Sequence, residues 1–178
     1  MYFIPGFLIS IVTFPGVIVH ELAHQLFCRI CNVAVIEVCY FQPKNPAGYV
    51  RHEIPKKASQ HILIGIGPFI VNTIVGSLIS MPAAIQILKF KDYSNPFYLF
   101  LAWLGISIIM HSFPSIVDAK GIWHSVMKKE TNFFLKIIGV PLTGVLFLCS
   151  LGSFAWLDLI FGFAAAMVIP NLIINFLA

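Results

Sequence analysis

The sequence predicts an all-α integral membrane protein with about five transmembrane helices and a small interfacial β-hairpin between helices 1 and 2. Three observations predict this fold class. Hydrophobic residues make up 59% of the chain and charged residues only 10%, whereas soluble domains carry roughly a quarter charged residues. Apolar runs long enough to cross a bilayer recur along the chain. Between the first two runs, a stretch rich in β-branched residues surrounds a turn.

Five apolar stretches come close to or exceed the roughly 20 residues that a spanning helix needs. They cover residues 2–27, 61–81, 96–113, 133–156 and 159–177. Only the region of Asp158 separates the last two, which predicts a tight helical hairpin with Asp158 at its external turn. Pro170 and Asn171 leave open a re-entrant final segment. We interpret 1–178 as one membrane domain, with a core over 1–127 and an additional helical hairpin over 132–178.

The distribution of Lys and Arg predicts the orientation. Five of the 11 lie between the first and second stretches, four follow the third, and two lie between the second and third. The positive-inside rule then puts the N-terminus outside and the site described below toward the cytoplasmic side. The net charge of +4 is interpreted as this topology signal, and no nucleic-acid partner is expected. The first stretch lacks a basic flank before its apolar run, so we expect it to be retained in the membrane.

The loop after the first stretch predicts a β-hairpin. Residues 33–41 are β-branched and aromatic in character, a turn-rich segment with Pro43, Pro46 and Gly48 follows, and residues 49–54 alternate apolar and polar side chains. This pattern is typical of two short antiparallel strands. Because strand edges cannot face lipid unsatisfied, the hairpin is expected at the interface or against protein.

The motif that carries chemistry is His20-Glu21-Leu22-Ala23-His24, an H-E-x-x-H sequence in the first stretch. Positions i and i+4 of a helix share one face, so both imidazoles can bind one metal ion. Glu21 can reach a zinc-bound water and take its proton as general base, which is the metalloprotease arrangement. The alternative is a chance pair of satisfied core histidines, but such residues in a bilayer helix are costly without a function.

Catalytic zinc takes three protein ligands and water, so a third ligand must come from elsewhere in the chain. The candidates at membrane depth are His61, His111 and Asp118. Pro114 is expected to end the third helix and to turn Asp118 back toward the core. The first and third helices run in the same direction, which allows the histidines and Asp118 to lie at similar depth. The alternative for Asp118 is an N-cap for a helix over 119–127.

These residues together resemble the site-2 protease family of intramembrane zinc metalloproteases, as a divergent member. The resemblance covers 14–123 and implies that Asp118 is the third zinc ligand, because the family carries this aspartate in a motif of roughly Asn-x-x-Pro followed by Asp-Gly. Here Ala119 follows the aspartate, and His111 stands where the family commonly has asparagine. The hairpin resembles the family's edge strand, which holds an extended substrate.

A middle family motif, Gly-Pro-x-x-Asn, has its counterpart at Gly67-Pro68 and Asn72, with one extra residue of spacing. The resemblance implies that Asn72 and His111 contact the substrate, His111 as a ligand or an oxyanion stabiliser. The alternatives are that Asn72 ties its helix to a neighbour through a hydrogen bond and that His111 is a buried histidine bonded to nearby backbone.

The expected function is zinc-dependent hydrolysis of peptide bonds in membrane-anchored protein substrates. One Zn²⁺ per chain would be held by His20, His24 and Asp118, with Glu21 as the catalytic base. The partners are then the substrate and the lipid bilayer, and the sequence sets no oligomeric state. The alternative is a catalytically inactive membrane protein that keeps the motif for metal binding or as a scaffold.

Overall fold

A computed structural model describes residues 6–177 of the chain, and helices dominate that range. The predicted all-α class with one small two-stranded sheet is confirmed. The helices are α1 (Gly6–Val12), α2 (Phe14–Ile30), α3 (Ala58–Lys89), α4 (Pro96–Met110), α5 (Ile116–Val126), α6 (Phe133–Gly152) and α7 (Leu157–Leu177), and the strands are β1 (Val35–Cys39) and β2 (Tyr49–His52).

Several of these helices have the length and composition of membrane spans. Over the described residues, three qualify singly, α3, α6 and α7, and the bent pair of α1 and α2 makes a fourth if it is counted as one span. The helix α4 has 15 residues, a length of roughly 22 Å against a hydrocarbon core of roughly 30 Å. The chain is therefore a membrane protein by these criteria, and the count of five spans is not confirmed.

The first predicted helix is broken, which corrects the expectation of one continuous segment over 2–27. Residues 2–5 of that segment lie outside the described range. The axes of α1 and α2 differ by 91°, and the break falls at Thr13. Pro15 in the first turn of α2 lacks an N–H and its ring would clash with the carbonyl four residues earlier. The Thr13 hydroxyl instead donates to Ile9 O at 2.7 Å, which satisfies a carbonyl near the end of α1.

The longest helix, α3, is the centre of the fold and packs against α2, α4, α5 and α7. Its contacts with α5 show that the two helices are antiparallel. His61 near the start of α3 bonds to Ser125 near the end of α5, whereas Gly65 faces Ile122, earlier in α5. These contacts place the end of α5 beside the start of α3 and bring the start of α5 toward the middle of α3.

The helices α3 and α4 approach each other closely where Gly76 and Gly105 face each other. A Cβ atom added at Gly105 would lie 2.6 Å from Ser80 Cβ and 2.7 Å from Gly76 O. Small residues of this kind allow two membrane helices to approach closely and to gain van der Waals contact. Because one of the clashing atoms is backbone, the helices would have to separate to accept a larger residue.

Gly105→Ala is therefore expected to lower the free energy of unfolding by about 1–3 kcal/mol. The matched control is Gly144→Ala in α6, since a Cβ there meets nothing within 4 Å and alanine has the higher helix propensity. Unfolding in mixed micelles, followed by circular dichroism, measures both variants. Equal stability of the two variants would contradict the close packing of α3 on α4.

The predicted hairpin is confirmed, with antiparallel pairing of Glu37 with Arg51 and Cys39 with Tyr49. A cross-strand cluster supports this register. The Tyr49 hydroxyl donates to Glu37 Oε1 at 2.7 Å and Arg51 donates to Glu37 Oε2 at 2.8 Å. These two hydrogen bonds hold the pKa of the Glu37 carboxyl below its usual value. The polar outer face of the hairpin is typical of a segment that contacts water.

The helix α6 packs on α5 in an antiparallel arrangement. Gly139 faces Val126 at the end of α5, and ten or so residues later the Ser150 hydroxyl donates to the carbonyl of Pro114, just before α5, at 3.2 Å. Since α5 is itself antiparallel to α3, α6 runs in the same direction as α3.

The last helix, α7, packs on α3 and α4 and also runs in the direction of α3. Phe161 stacks on Phe69 with ring centroids 5.7 Å apart, and further along Ser80 donates to the carbonyl of Ala166 at 3.0 Å. The tight hairpin expected over 132–178 is therefore wrong. A 3-10 turn over Ser153–Ala155 and a left-handed Trp156 with φ 60° displace the chain sideways without reversing it.

Candidate metal centre

Two ligands of the candidate centre lie on one face of α2, as the motif predicts. His20 and His24 are one helical turn apart, and their Nε2 atoms are 3.2 Å from each other. The exposed fraction of His24 is only 6%. The spacing of the motif thus brings two imidazole nitrogens together inside the protein.

Asp118 comes to the same point from α5. Its Oδ1 lies 3.6 Å from His24 Nε2, while its Oδ2 accepts hydrogen bonds from the backbone N–H and the hydroxyl of Ser115 at 2.8 and 2.6 Å. Ser115 is the N-cap of α5 and Asp118 is its third residue, in a capping box. The alternative of Asp118 as the N-cap of a helix over 119–127 is therefore corrected, because the N-cap is Ser115 and the helix begins at Ile116. The capping box uses one carboxylate oxygen of Asp118 and leaves the other facing the histidines.

The Nδ1 atom of each imidazole forms a hydrogen bond with a backbone carbonyl. His20 Nδ1 lies 2.7 Å from the carbonyl of His111 and His24 Nδ1 lies 3.1 Å from that of Ile64. A carbonyl oxygen can only accept, so both Nδ1 atoms carry the proton. Metal-binding histidines typically have this arrangement, in which an outer hydrogen bond sets the tautomer. When both rings are neutral, the two Nε2 atoms then present lone pairs to the space between them.

Three acceptor atoms consequently converge at the centre: His20 Nε2, His24 Nε2 and Asp118 Oδ1. Over the described residues, this is the one set of three His, Cys, Asp or Glu side chains whose ligand atoms all lie within 4.8 Å of one another. At 3.2 Å, two Nε2 lone pairs repel unless a metal ion or a proton lies between them. Ligands at about 2.0–2.1 Å around a tetrahedral ion are about 3.3 Å apart, and the distances from His24 Nε2 to His20 Nε2, 3.2 Å, and to Asp118 Oδ1, 3.6 Å, are close to that value.

Glu21 lies beside the histidines and is 7% exposed. The loop before β2 covers it: a Cβ atom added at Gly48 would lie 2.8 Å from Glu21 Cγ and 3.0 Å from Glu21 Oε1. The missing side chain at Gly48 therefore lets the loop backbone lie directly on the carboxylate. In the sequence Gly48 has only the pattern of a turn residue, and no local signal connects it to the centre.

The structure places His111 beside the centre but outside the three-ligand set. Its backbone carbonyl supports His20, and its Nε2 lies 2.7 Å from Thr13 Oγ1. The Thr13 hydroxyl already donates to Ile9 O, so the imidazole N–H of His111 is the donor in this bond. Neutral His111 then has only its Nδ1 acceptor free, which does not provide a donor for an oxyanion.

Asn72 is fully buried and lies behind the centre. Its Nδ2 donates to the carbonyls of Gly16, Ile108 and His111 at 3.2, 3.0 and 3.2 Å. This is the helix-tying arrangement that the sequence offered as its alternative, and it also fixes the carbonyl that supports His20. His61, which the sequence also offered as a candidate for the third metal ligand, bonds to Ser125 Oγ at 2.6 Å. It does not belong to the three-ligand set.

A cleft of about 320 Å³ opens beside the centre, with His20, Glu21, Gly48 and His111 among its lining residues. Its lining also includes Ser150, Ser153 and Asp158, from the junction of α6 and α7. Asp158 was expected at an external turn, and its position in this cleft corrects that expectation. No periodicity signal could have placed it here, because the placement depends on the direction of α7.

One supporting residue was visible in the sequence. Ser115 and Asp118 form an S-x-x-D pattern before an apolar run, which is the signature of a capping box. Fold and site together define the class: a helical membrane protein with a candidate metal-binding centre built from α2 and α5. No protein-family model, curated protein or solved structure matches this chain.

Proposed function

We propose that this protein is an intramembrane zinc metalloprotease of the site-2 protease type, which hydrolyses peptide bonds of membrane-anchored substrates. The observation that carries the proposal is the convergence of His20 Nε2, His24 Nε2 and Asp118 Oδ1. The other polar atom of each of these side chains forms a hydrogen bond that fixes its orientation. With both imidazoles neutral, these three acceptors form a site for a cation.

The donor set favours zinc over other common divalent ions. Two imidazoles and one carboxylate are ligands of catalytic zinc, and three protein ligands leave a fourth position open. Calcium and magnesium prefer sites made of oxygen atoms alone. The hydrogen bonds from His20 and His24 to carbonyls, and from Ser115 to Asp118, would orient the ligands before metal arrives.

Zinc bound at this position would lower the pKa of a water ligand to about 7 and polarise the substrate carbonyl. Glu21 is the base: its carboxylate lies in the motif's helical turn, lines the cleft and can take a proton from water and deliver it to the leaving amine. The backbone at Gly48 covers Glu21 and limits its contact with bulk water. Asn72 and His111 act as positioning residues through the His111 carbonyl.

The hairpin offers a way to hold an unwound substrate. The sheet consists of β1 and β2 alone, so each strand pairs on one side, and an extended peptide could add to the sheet through main-chain hydrogen bonds. A helical substrate must unwind before hydrolysis, because its carbonyls are otherwise bonded within the helix. The loop that continues into β2 is the segment that covers Glu21, so a peptide on this sheet would lie near the centre.

In the proposed topology the N-terminus is outside and the centre lies toward the cytoplasm. The carbonyl of Ile64 that supports His24 lies in the second turn of α3, which begins just after the basic residues Lys56 and Lys57. A basic start of α3 on the cytoplasmic side puts the centre at a depth of roughly 10 Å along that helix.

The experiment is proteolysis in reconstituted vesicles that contain the purified protein and membrane-anchored reporter proteins with varied spans. We expect cleavage that stops when a zinc chelator is added and returns when one equivalent of Zn²⁺ is restored. Metal bound at one ion per chain without cleavage of any reporter would instead support the inactive metal-binding or scaffold protein. Cleavage that persists after the metal has been removed would contradict the mechanism.

A further inference from the structure

The junction of α6 and α7 contributes a polar wall to the cleft of the candidate metal centre. Ser150, Ser153 and Asp158 line the same cleft as His20 and Glu21. The three residues come from a region that is otherwise apolar and contains no other charged residue between Lys136 and the chain end. The wall therefore places one carboxylate of α7 in the cleft that His20 and Glu21 of α2 also line.

This wall is fixed to the segment that holds the third ligand. Ser150 donates to the carbonyl of Pro114 at 3.2 Å, and the next residue, Ser115, binds the Asp118 carboxylate. Phe161, just after the first turn of α7, packs on Phe113 with ring centroids 4.9 Å apart, which holds the start of α7 beside the same segment. The position of Asp158 relative to the centre is thus set by hydrogen-bonded and packed segments.

The carboxylate of Asp158 has no cationic partner in the described part of the chain. Ion pairs form there only between His24 and Asp118 and between Arg51 and Glu37. Asp158 Oδ1 accepts one hydrogen bond, from the backbone N–H of Leu159 at 2.9 Å. Carboxylates at membrane depth are costly, and those that occur typically face a cavity and mark a functional pathway.

We propose that Asp158 is a specificity-determining residue that binds a Lys or Arg side chain of the substrate. The inference rests on the proposed function, since it gives that site a substrate class. Long basic side chains combine an apolar stem with a charged head. The cleft matches both parts, because Val17 and Met110 line it beside the polar wall.

The substrate class follows from this chemistry. Membrane proteins concentrate Lys and Arg in the cytoplasmic flank of their spans. A substrate segment drawn into the cleft from that side would bring a basic residue to Asp158 while its backbone lies beside Glu21 and His20. The serine hydroxyls of Ser150 and Ser153 can accept further hydrogen bonds from an ammonium or guanidinium group.

The test uses labelled apolar peptides that are identical except for one flanking position, which carries Lys, Gln or Glu. Binding to the Glu21→Gln protein in a non-ionic detergent is measured by fluorescence anisotropy. The Lys peptide is expected to bind about tenfold or more tightly than the Gln peptide, the ratio typical of a charge-assisted hydrogen bond. Adding Asp158→Asn is expected to remove the difference, and adding Asp158→Lys to favour the Glu peptide.

The matched control is Asp92→Asn, which removes a carboxylate that bonds only to Ser94 in its own loop and should leave the Lys preference intact. Equal binding of the Lys and Gln peptides, or no binding of either, would overturn the proposal even if a variant failed to fold, because this comparison is made without any change at Asp158. An unchanged preference in Asp158→Asn would also overturn it.

Cleavage of the same peptides by the protein with Glu21 intact separates this inference from the proposed function. Selective binding that depends on Asp158, without cleavage, would retain the basic-residue site and contradict the protease. Cleavage with no preference at the flanking position would retain the protease and contradict the role of Asp158.

Discussion

Glu21→Gln is expected to reduce peptide hydrolysis by about 10²- to 10⁴-fold, the range associated with loss of a general base, while one metal ion per chain remains bound. The amide of glutamine is similar in size to the carboxylate but cannot take a proton from water. Because the three acceptor atoms of the centre belong to His20, His24 and Asp118, this change leaves the ligand set intact. Elemental analysis and reporter cleavage on the same preparation measure both properties.

The matched control for this variant is Glu53→Gln, which changes an exposed carboxylate at the end of the hairpin and should leave cleavage unchanged. If Glu21→Gln cleaved at the original rate, Glu21 could not be the base. If it lost both cleavage and metal, Glu21 would contribute to the metal centre itself, and the division of roles between the residues of α2 would be wrong.

His24→Ala and Asp118→Ala are each expected to lower the metal content from about one zinc per chain to a small fraction of that value. Each substitution removes one of three protein ligands and leaves an incomplete site. Elemental analysis after gel filtration, at a fixed total zinc concentration, is the measurement.

Ser115→Ala keeps all three ligands but removes a hydroxyl that binds Asp118, so we expect zinc affinity to fall by about 10- to 100-fold.

His124→Ala is the control for these variants, because it removes an imidazole from the exposed face of α5 and should leave the metal content unchanged. Loss of zinc in His24→Ala but not in Asp118→Ala would contradict the assignment of the third ligand. It would then favour His111, whose free Nδ1 is the remaining imidazole acceptor beside the centre. Wild-type protein that binds no zinc would remove the basis of the proposed enzyme.

Features that depend on neighbours in the sequence could be predicted from the sequence. The face shared by His20 and His24 follows from helix periodicity. The hairpin follows from strand alternation and turn residues, which act over a few positions. Membrane insertion follows from composition, because a chain with so few charged residues cannot cover a water-facing surface.

Helix breaks were harder to predict, although their causes are local. Pro15 was present in the sequence, but a proline can either kink a helix or occupy the first turn of a new one. The structure has the second outcome, with Thr13 at the corner between α1 and α2. In the same way, the pattern of Ser115 and Asp118 allowed both a helix cap and a metal ligand, and only the position of His24 showed that one carboxylate can serve both roles.

The sequence by itself determined that this is a membrane protein with a two-histidine motif, a neighbouring glutamate and a small hairpin. The tertiary structure decided the rest: the placement of Asp118 near the histidines, the use of Asn72 and His111 as supports, and the position of Asp158 in the cleft. The physical reason is that α6 and α7 are apolar around most of their circumference, so no polar stripe specifies their partners. Their direction is set by close contacts such as those of Gly139 and Phe161, which only the folded chain brings together.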